Sequence, residues 1–168
     1  MDFDFDSLDH VSFMREALKE AELAMQAGER AIGAVIVHNG KIVGRGRAEH
    51  LKRHNRLAHA ELNALLATAS SLYDHPHTNG VIYTTVEPCE MCLGAIVMSD
   101  AVNHIVFALP DRWINPAHML DMPHVRRHIH NYLGGILEEE SAALLKQSRP
   151  DEFILLRDGN NANQKDKK

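Results

Sequence analysis

Apolar residues recur every three or four positions in some stretches of the chain and run together in others. Val11, Met14, Leu18, Ala21 and Met25 make one apolar face, a spacing that predicts a helix ending before Gly28. Asp6, Ser7 and Asp9 are candidate caps, since each can offer an oxygen to a first-turn N–H. Ile32 to Val37 and Lys41 to Gly44 are β-prone, and Asn39-Gly40 between them predicts a hairpin. Residues 45–57 lack periodicity and read as a loop. Ala58 to Ala69 is rich in Ala and Leu and reads as a helix. Asp74 to Gly80 is turn-like, and Val81 to Val86 reads as a buried strand. Cys89 to Ser99 reads as a helix entered through Pro88, and Val102 to Ala108 as another strand.

Residues 109–130 hold Pro110, Pro116, Pro123, Trp113 and four histidines, and read as a long loop of functional type. A last strand is expected over Asn131 to Leu137 and a helix over Glu138 to Gln147. Phe153 to Leu156 is a short apolar stretch expected to dock on the body. Asp158 to Lys168 is polar and rich in Asn and Lys, and reads as disordered. Alternating helices and strands place the chain in the α/β class, with helices covering a sheet. The expected organisation is one domain over residues 1–157 with a tail over 158–168.

Composition narrows the options. The chain has 168 residues, 45% hydrophobic and 24% charged, with a net charge of −5. That excludes a wholly disordered chain, a collagen-like fibre and a disulfide scaffold. Only two cysteines occur, Cys89 and Cys92, so metal or redox chemistry is the expectation. The acidic start Met1-Asp2-Phe3-Asp4 does not read as a secretory signal, and no apolar run of membrane-spanning length occurs. A cytoplasmic location and no membrane partner are expected. Residues 45–57 carry Arg45, Arg47, Lys52, Arg53 and Arg56 against Glu49, just before His59. Such a patch suits a phosphate or nucleic-acid backbone, but the acidic balance of the whole chain opposes that reading.

The residues that carry chemistry are His59-Ala60-Glu61 and Pro88-Cys89-Glu90-Met91-Cys92. Imidazole and thiolate are zinc ligands, and a Cys pair at a helix start favours thiolate. His59, Cys89 and Cys92 supply only three ligands, which leaves a position for water, as catalytic zinc sites do. Zinc lowers the pKa of such a water to roughly 7. Glu61, two residues beyond His59, is placed to act as a base towards it. Glu87 reads as structural, fixing the loop through backbone hydrogen bonds. His118, His124, His128 and His130 match no metal-site spacing and read as surface residues.

With both motifs in view, the chain resembles the cytidine deaminase-like superfamily. The phrase Thr84-Thr85-Val86-Glu87-Pro88-Cys89-Glu90-Met91-Cys92-Leu93-Gly94-Ala95-Ile96 is similar to the branch holding tRNA adenosine and guanine deaminases. Ile32 to Val37, Gly135-Ile136-Leu137 and Ala142 to Leu145 are similar to it as well. The resemblance implies a three-layer α/β/α sandwich around a five-stranded mixed sheet. It implies one zinc ion on His59, Cys89 and Cys92, Glu61 as catalytic proton shuttle, and a homodimer with active sites near the interface.

Substrate contacts are less regular. Where that branch commonly has a base-contacting Asn, eleven residues before the zinc His, this chain has Ala48. Trp113 is a candidate to stack on a ring, and Asp111 to bond a ring N–H or amine, against a turn role at Pro110-Asp111. Backbone around Pro88 and Cys89 is a candidate to stabilise developing charge. The leading expectation is a zinc-dependent hydrolytic deaminase of a small aminated heterocycle, with a purine-like ring favoured over cytidine. The alternative is a tRNA or single-stranded nucleic-acid adenosine deaminase. A lesser alternative is a non-catalytic zinc-binding partner subunit.

Overall fold

The computed structural model describes residues 3–74 and 79–159, without the side chains of residues 69 and 71. Helix α1 is His10–Gln26, started by Asp9, whose carboxylate accepts from the Ser12 N–H at 2.9 Å and the Ser12 hydroxyl at 2.7 Å. Strands β1 (Gly33–His38) and β2 (Lys41–Arg47) form the expected hairpin. Asn39 and Gly40 both take positive φ, 51° and 70°, as a tight two-residue turn requires. Then follow α2 (Ala60–Leu72), β3 (Gly80–Val86), α3 (Glu90–Ser99) and β4 (Val102–Leu109).

The sheet has five strands in the order β2-β1-β3-β4-β5, with β5 at Asn131–Leu133. β1 runs antiparallel to β2 and β3, whereas β3, β4 and β5 are parallel, so the sheet is mixed. Side chains alternate across it. Val35, Val37, Val81, Tyr83, Val106 and Ala108 pack with Met14 and Ala17 of α1 on one face. Ala34, Ile36, Ile82, Ile105 and Phe107 pack with Ala60, Leu93 and Ile96 of α2 and α3 on the other. The result is the three-layer α/β/α sandwich. Among the described residues no helix is long and apolar enough to cross a membrane.

Four sequence expectations need correction. β2 runs through Arg47, into the stretch read as a loop, because two of its inward positions are glycine and leave no apolar alternation to read. A Cβ on Gly46 would lie 2.2 Å from the Ala60 carbonyl oxygen, so α2 lies tight against this strand. β5 stops at Leu133 rather than Leu137: Gly135 turns away at φ 89°, and a Cβ on Gly134 would meet the Phe107 ring at 2.5 Å. The long 109–130 segment contains a 3-10 helix, Pro116–Asp121, and helix α4, Pro123–His128, each with its proline at the start. After α5 (Glu138–Ser148), the apolar stretch 153–156 belongs to a full helix, α6 (Pro150–Asp158). Of the turn over 74–80, residues 75–78 lie outside the described residues, as do tail residues 160–168.

Candidate active site

Two helix starts meet at one end of the sheet. His59 is the N-cap of α2 and Cys89 the N-cap of α3, both with extended ψ (153° and 170°). Neither caps its helix through its side chain, so both side chains are free to turn to each other. Cys92 follows one turn into α3 and is fully buried. His59 Nδ1 lies 3.6 Å from Cys89 Sγ and 3.5 Å from Cys92 Sγ. All three donor atoms fall within 4.8 Å of one another, the only such group among the described residues. Hydrogen bonds from the Cys92 thiol and His59, partly opposed by burial, hold the Cys89 thiol down at about 4. The Cys89 thiolate in turn raises the pKa of His59 against its own burial. A soft, partly ionised N/S/S set of this kind fits one zinc ion and leaves a coordination position open. His118, His124, His128 and His130 lie outside this group.

Glu61 sits in the first turn of α2, 3% exposed, and accepts from the Thr84 hydroxyl at 3.1 Å. Its other oxygen lies 3.5 Å from Cys92 Sγ. Burial pushes its carboxyl pKa up, the direction that suits a group exchanging protons near neutral pH. Glu87 ties the Pro88-Cys89 corner to the rest of the sheet. One of its oxygens accepts from the Asp111 N–H at 2.8 Å, the other from the Tyr132 hydroxyl at 2.7 Å.

His59, Glu61, Glu87 and Cys89 line a cleft of about 380 Å³ with Ile32, Ala48, Val86, Ile114, Leu145, Leu155 and Leu156, within the size range of small-molecule sites. Ala48, Asp111 and Trp113 all reach it. Ala48 is buried and brings no polar side-chain atom. Asp111 spends Oδ1 on a turn, accepting from the Trp113 and Ile114 N–H groups at 2.9 Å each, and burial raises its pKa. Trp113 is 46% exposed at the rim.

Sequence reasoning missed three lining residues. Arg30 precedes β1 and His50 follows β2, both at the open end of the hairpin, and Glu152 comes from α6. Arg30 Nε donates to Glu152 Oε1 at 2.8 Å, and Arg30 Nη1 lies 3.4 Å from His50 Nε2. The signal available in the sequence was the loss of the family Asn at Ala48, which leaves a polar role to be filled nearby. The basic stretch also reads differently in three dimensions. Arg45 meets Glu16 at 2.7 Å and Glu20 at 3.6 Å, Arg47 meets Glu20 at 3.5 Å, and Lys52 and Arg53 meet Glu49 at 2.7 and 2.6 Å. Four of its five cations are thus answered by carboxylates of the same chain.

Comparison with known proteins agrees with this geometry. Residues 8–109 match the family described as the cytidine and deoxycytidylate deaminase zinc-binding region. The tRNA-specific adenosine deaminase of Bacillus subtilis is 32% identical over 135 residues, 79% of this chain and 84% of that protein. A structure from studies of A-to-I editing by tRNA:A34 deaminases is 28% identical, with a TM-score of 0.72 over 80% of this chain and 99% of that one. The guanine deaminase of Nitrosomonas europaea shares the fold at 19% identity, with a TM-score of 0.69 over 84% of this chain and 85% of that one. With its His/Cys/Cys group set to hold one metal ion, the chain belongs to the cytidine and deoxycytidylate deaminase family of zinc-dependent, hydrolytic enzymes.

Proposed function

We propose that this chain deaminates a small aminated heterocycle, a purine-like base or nucleoside, replacing its exocyclic amine with oxygen and releasing ammonia. The carrying observation is the wall that α6 builds over the cleft. Glu152, Leu155 and Leu156 of α6 line it, and the Arg30–Glu152 ion pair ties that wall to the start of β1. The Arg112 N–H donates to the Leu156 carbonyl at 2.9 Å and fastens α6 to the segment bearing Asp111 and Trp113. Such a site suits a ligand that enters whole, and the paired cations of residues 45–53 offer little to a phosphate backbone.

In this reading His59, Cys89 and Cys92 hold one zinc ion. When bound, the ion supplies the acidity that makes water a nucleophile near neutral pH. Glu61 takes a proton from the attacking water and delivers protons to a ring nitrogen and to the departing amine. A C–O bond forms, the C–N bond breaks and ammonia leaves. Backbone N–H groups at the Pro88-Cys89 corner, at the start of α3, favour the negative charge that develops. Trp113 at the rim covers the ring face. A cytoplasmic homodimer completes the proposal.

The second reading, a tRNA adenosine deaminase, is favoured by the 32% identity to the Bacillus subtilis enzyme. Ammonia release from zinc-loaded protein separates the two, with Glu61→Ala as control. The panel is guanine, adenine, cytosine, their nucleosides and a tRNA anticodon stem-loop. Release from a base or nucleoside, lost in the variant, is the expected result. Release from the RNA alone refutes the small-molecule reading in favour of the second. Silence at full zinc occupancy points first to a heterocycle outside the panel and next to a non-catalytic zinc-binding subunit.

A further inference from the structure

Thr84 stands on the face of the sheet that α2 and α3 cover. It follows Ile82 on that face and pairs across the strands with Ala34 and Phe107. It is fully buried. A hydroxyl buried among such neighbours costs stability unless it is hydrogen-bonded. Two acceptors face this one, Glu61 Oε1 and the Val86 carbonyl oxygen, each at 3.1 Å. A hydroxyl has one proton to give. The charged carboxylate is the stronger acceptor of the two.

The two oxygens of Glu61 are therefore unequal. Oε1 is tied to β3 through Thr84, whereas Oε2 lies 3.5 Å from Cys92 Sγ, one of the three donor atoms of the metal group. Glutamate has three side-chain torsions, and the last one, which turns the carboxylate, is the softest. A hydrogen bond at Oε1 is what holds that last torsion.

The next residue makes the contrast. Thr85 is also fully buried, but alternation along β3 sends it to the face that α1 covers. Its hydroxyl accepts from the Gly33 N–H at 3.1 Å, and its carbonyl accepts from the Ser141 hydroxyl. Thr85 thus joins β3 to β1 and α5. Two adjacent buried threonines divide the work, one serving the frame and the other meeting Glu61.

We infer that Thr84 is a positioning residue for the reaction: its hydroxyl tethers Oε1 of Glu61 and so keeps Oε2 as the oxygen that exchanges protons beside the metal group. This role rests on the one proposed for Glu61 above. It holds for a base, a nucleoside or an anticodon alike, since each needs the same proton transfer.

The test compares zinc-loaded wild type with Thr84→Val, Thr84→Ser, Thr85→Val and Glu61→Ala. Ammonia release is followed on whichever of guanine, adenine, cytosine, their nucleosides and the anticodon stem-loop wild type turns over fastest. Crystal structures of wild type, Thr84→Val and Thr84→Ser give a second readout. Val keeps the shape of Thr in apolar surroundings, and zinc is expected to stay at one per chain. In Thr84→Val, kcat should fall on the order of 10- to 100-fold with KM within about twofold, the mark of a reacting group out of place. Thr84→Ser should recover most of kcat. Thr85→Val should lower Tm yet keep kcat within about threefold, since it loses a buried hydroxyl that does not reach the site. In the crystals, the Glu61 carboxylate should turn away from residue 84 in the Val variant and return in the Ser variant. A Thr84→Val enzyme with the kcat of wild type, a Thr85→Val enzyme equally slow, or loss of zinc from Thr84→Val overturns the positioning role. With Glu61→Ala inactive, such a result leaves the role of Glu61 standing. An active Glu61→Ala overturns that role and this one with it. Where wild type releases no ammonia from any member of the panel, the crystals decide: a carboxylate that turns supports the tether, and one that stays overturns it.

Discussion

Glu87 gives the sharpest energetic prediction, because its whole carboxylate is committed inside the protein. It is 7% exposed, and its two oxygens accept from the Asp111 N–H at 2.8 Å and the Tyr132 hydroxyl at 2.7 Å. Those contacts join the end of β3 to the segment after β4 and to β5. Glu87→Ala strands two donors, one of them on Asp111, which is 5% exposed. Each orphaned partner costs about 1–3 kcal/mol. Relief of the carboxylate's own desolvation offsets part of the sum. A net loss of about 2–4 kcal/mol follows, and for a chain of this size it lowers Tm by roughly 4–16 °C. Glu87→Gln keeps one oxygen for one donor and turns an amide N–H2 to the other. The Tyr132 hydroxyl can accept from it, so the loss is about half as large. Calorimetry of the zinc-loaded proteins, backed by urea unfolding, reads both numbers. An alanine variant within about 2 °C of wild type, or a glutamine variant less stable than alanine, refutes the account of Glu87 as an anchor.

Two further outcomes follow from packing and burial. Gly46→Ala drives a Cβ to 2.2 Å from the Ala60 carbonyl and 2.3 Å from the Ala64 nitrogen, backbone atoms that cannot turn aside; about 3 kcal/mol of stability should be lost. Because Ala60 follows His59, the same variant should release zinc faster to a chelator, and unchanged retention would break the link between β2 packing and the ligand. His104 is 3% exposed, with Nδ1 2.7 Å from Asn131 Oδ1 and Nε2 buried without a partner, and burial lowers its pKa below the ordinary 6.5. The unfolded chain takes up this proton first, so the stabilisation is complete above pH ~6.5 and is lost as the pH falls through the native value. The urea midpoint should drop between pH 7.5 and 5.5, less steeply in His104→Leu; equal slopes would remove His104 from the cause.

What was legible in the sequence follows from how local its cause was. The α1 face, the Asn39-Gly40 hairpin and the β3 and β4 strands rest on side-chain periodicity and turn chemistry within a few residues. The metal group was legible because its ligands lie in two short motifs, His59-Ala60-Glu61 and Pro88-Cys89-Glu90-Met91-Cys92; that His59 is an N-cap was not, since the helix expected from Ala58 starts at Ala60. β2 was cut short because Gly44 and Gly46 answer to α2, not to their own strand. α6 was read only as the apolar stretch Phe153 to Leu156 because four residues show no helical period; Pro150, at the first turn, starts the helix. The basic stretch misled for a related reason. Its count of cations is local, but the carboxylates answering Arg45 and Arg47 come from Glu16 and Glu20 on α1.

Long-range pairing also bears on the proposed choice of substrate. The family motif lies in residues 8–109 and concerns the metal and the proton shuttle, which a base, a nucleoside and a tRNA anticodon all require. In this chain the cleft is walled by α6, fastened through Glu152 and Leu156, and four of the five cations of the stretch before His59 meet carboxylates of the same chain. On the proposed reading, α6 is the wall an anticodon loop would meet, since Leu155 and Leu156 line the cleft and Glu152 pairs with Arg30. On that reading the fastened wall favours a small heterocycle, and the ammonia-release panel decides between it and the anticodon.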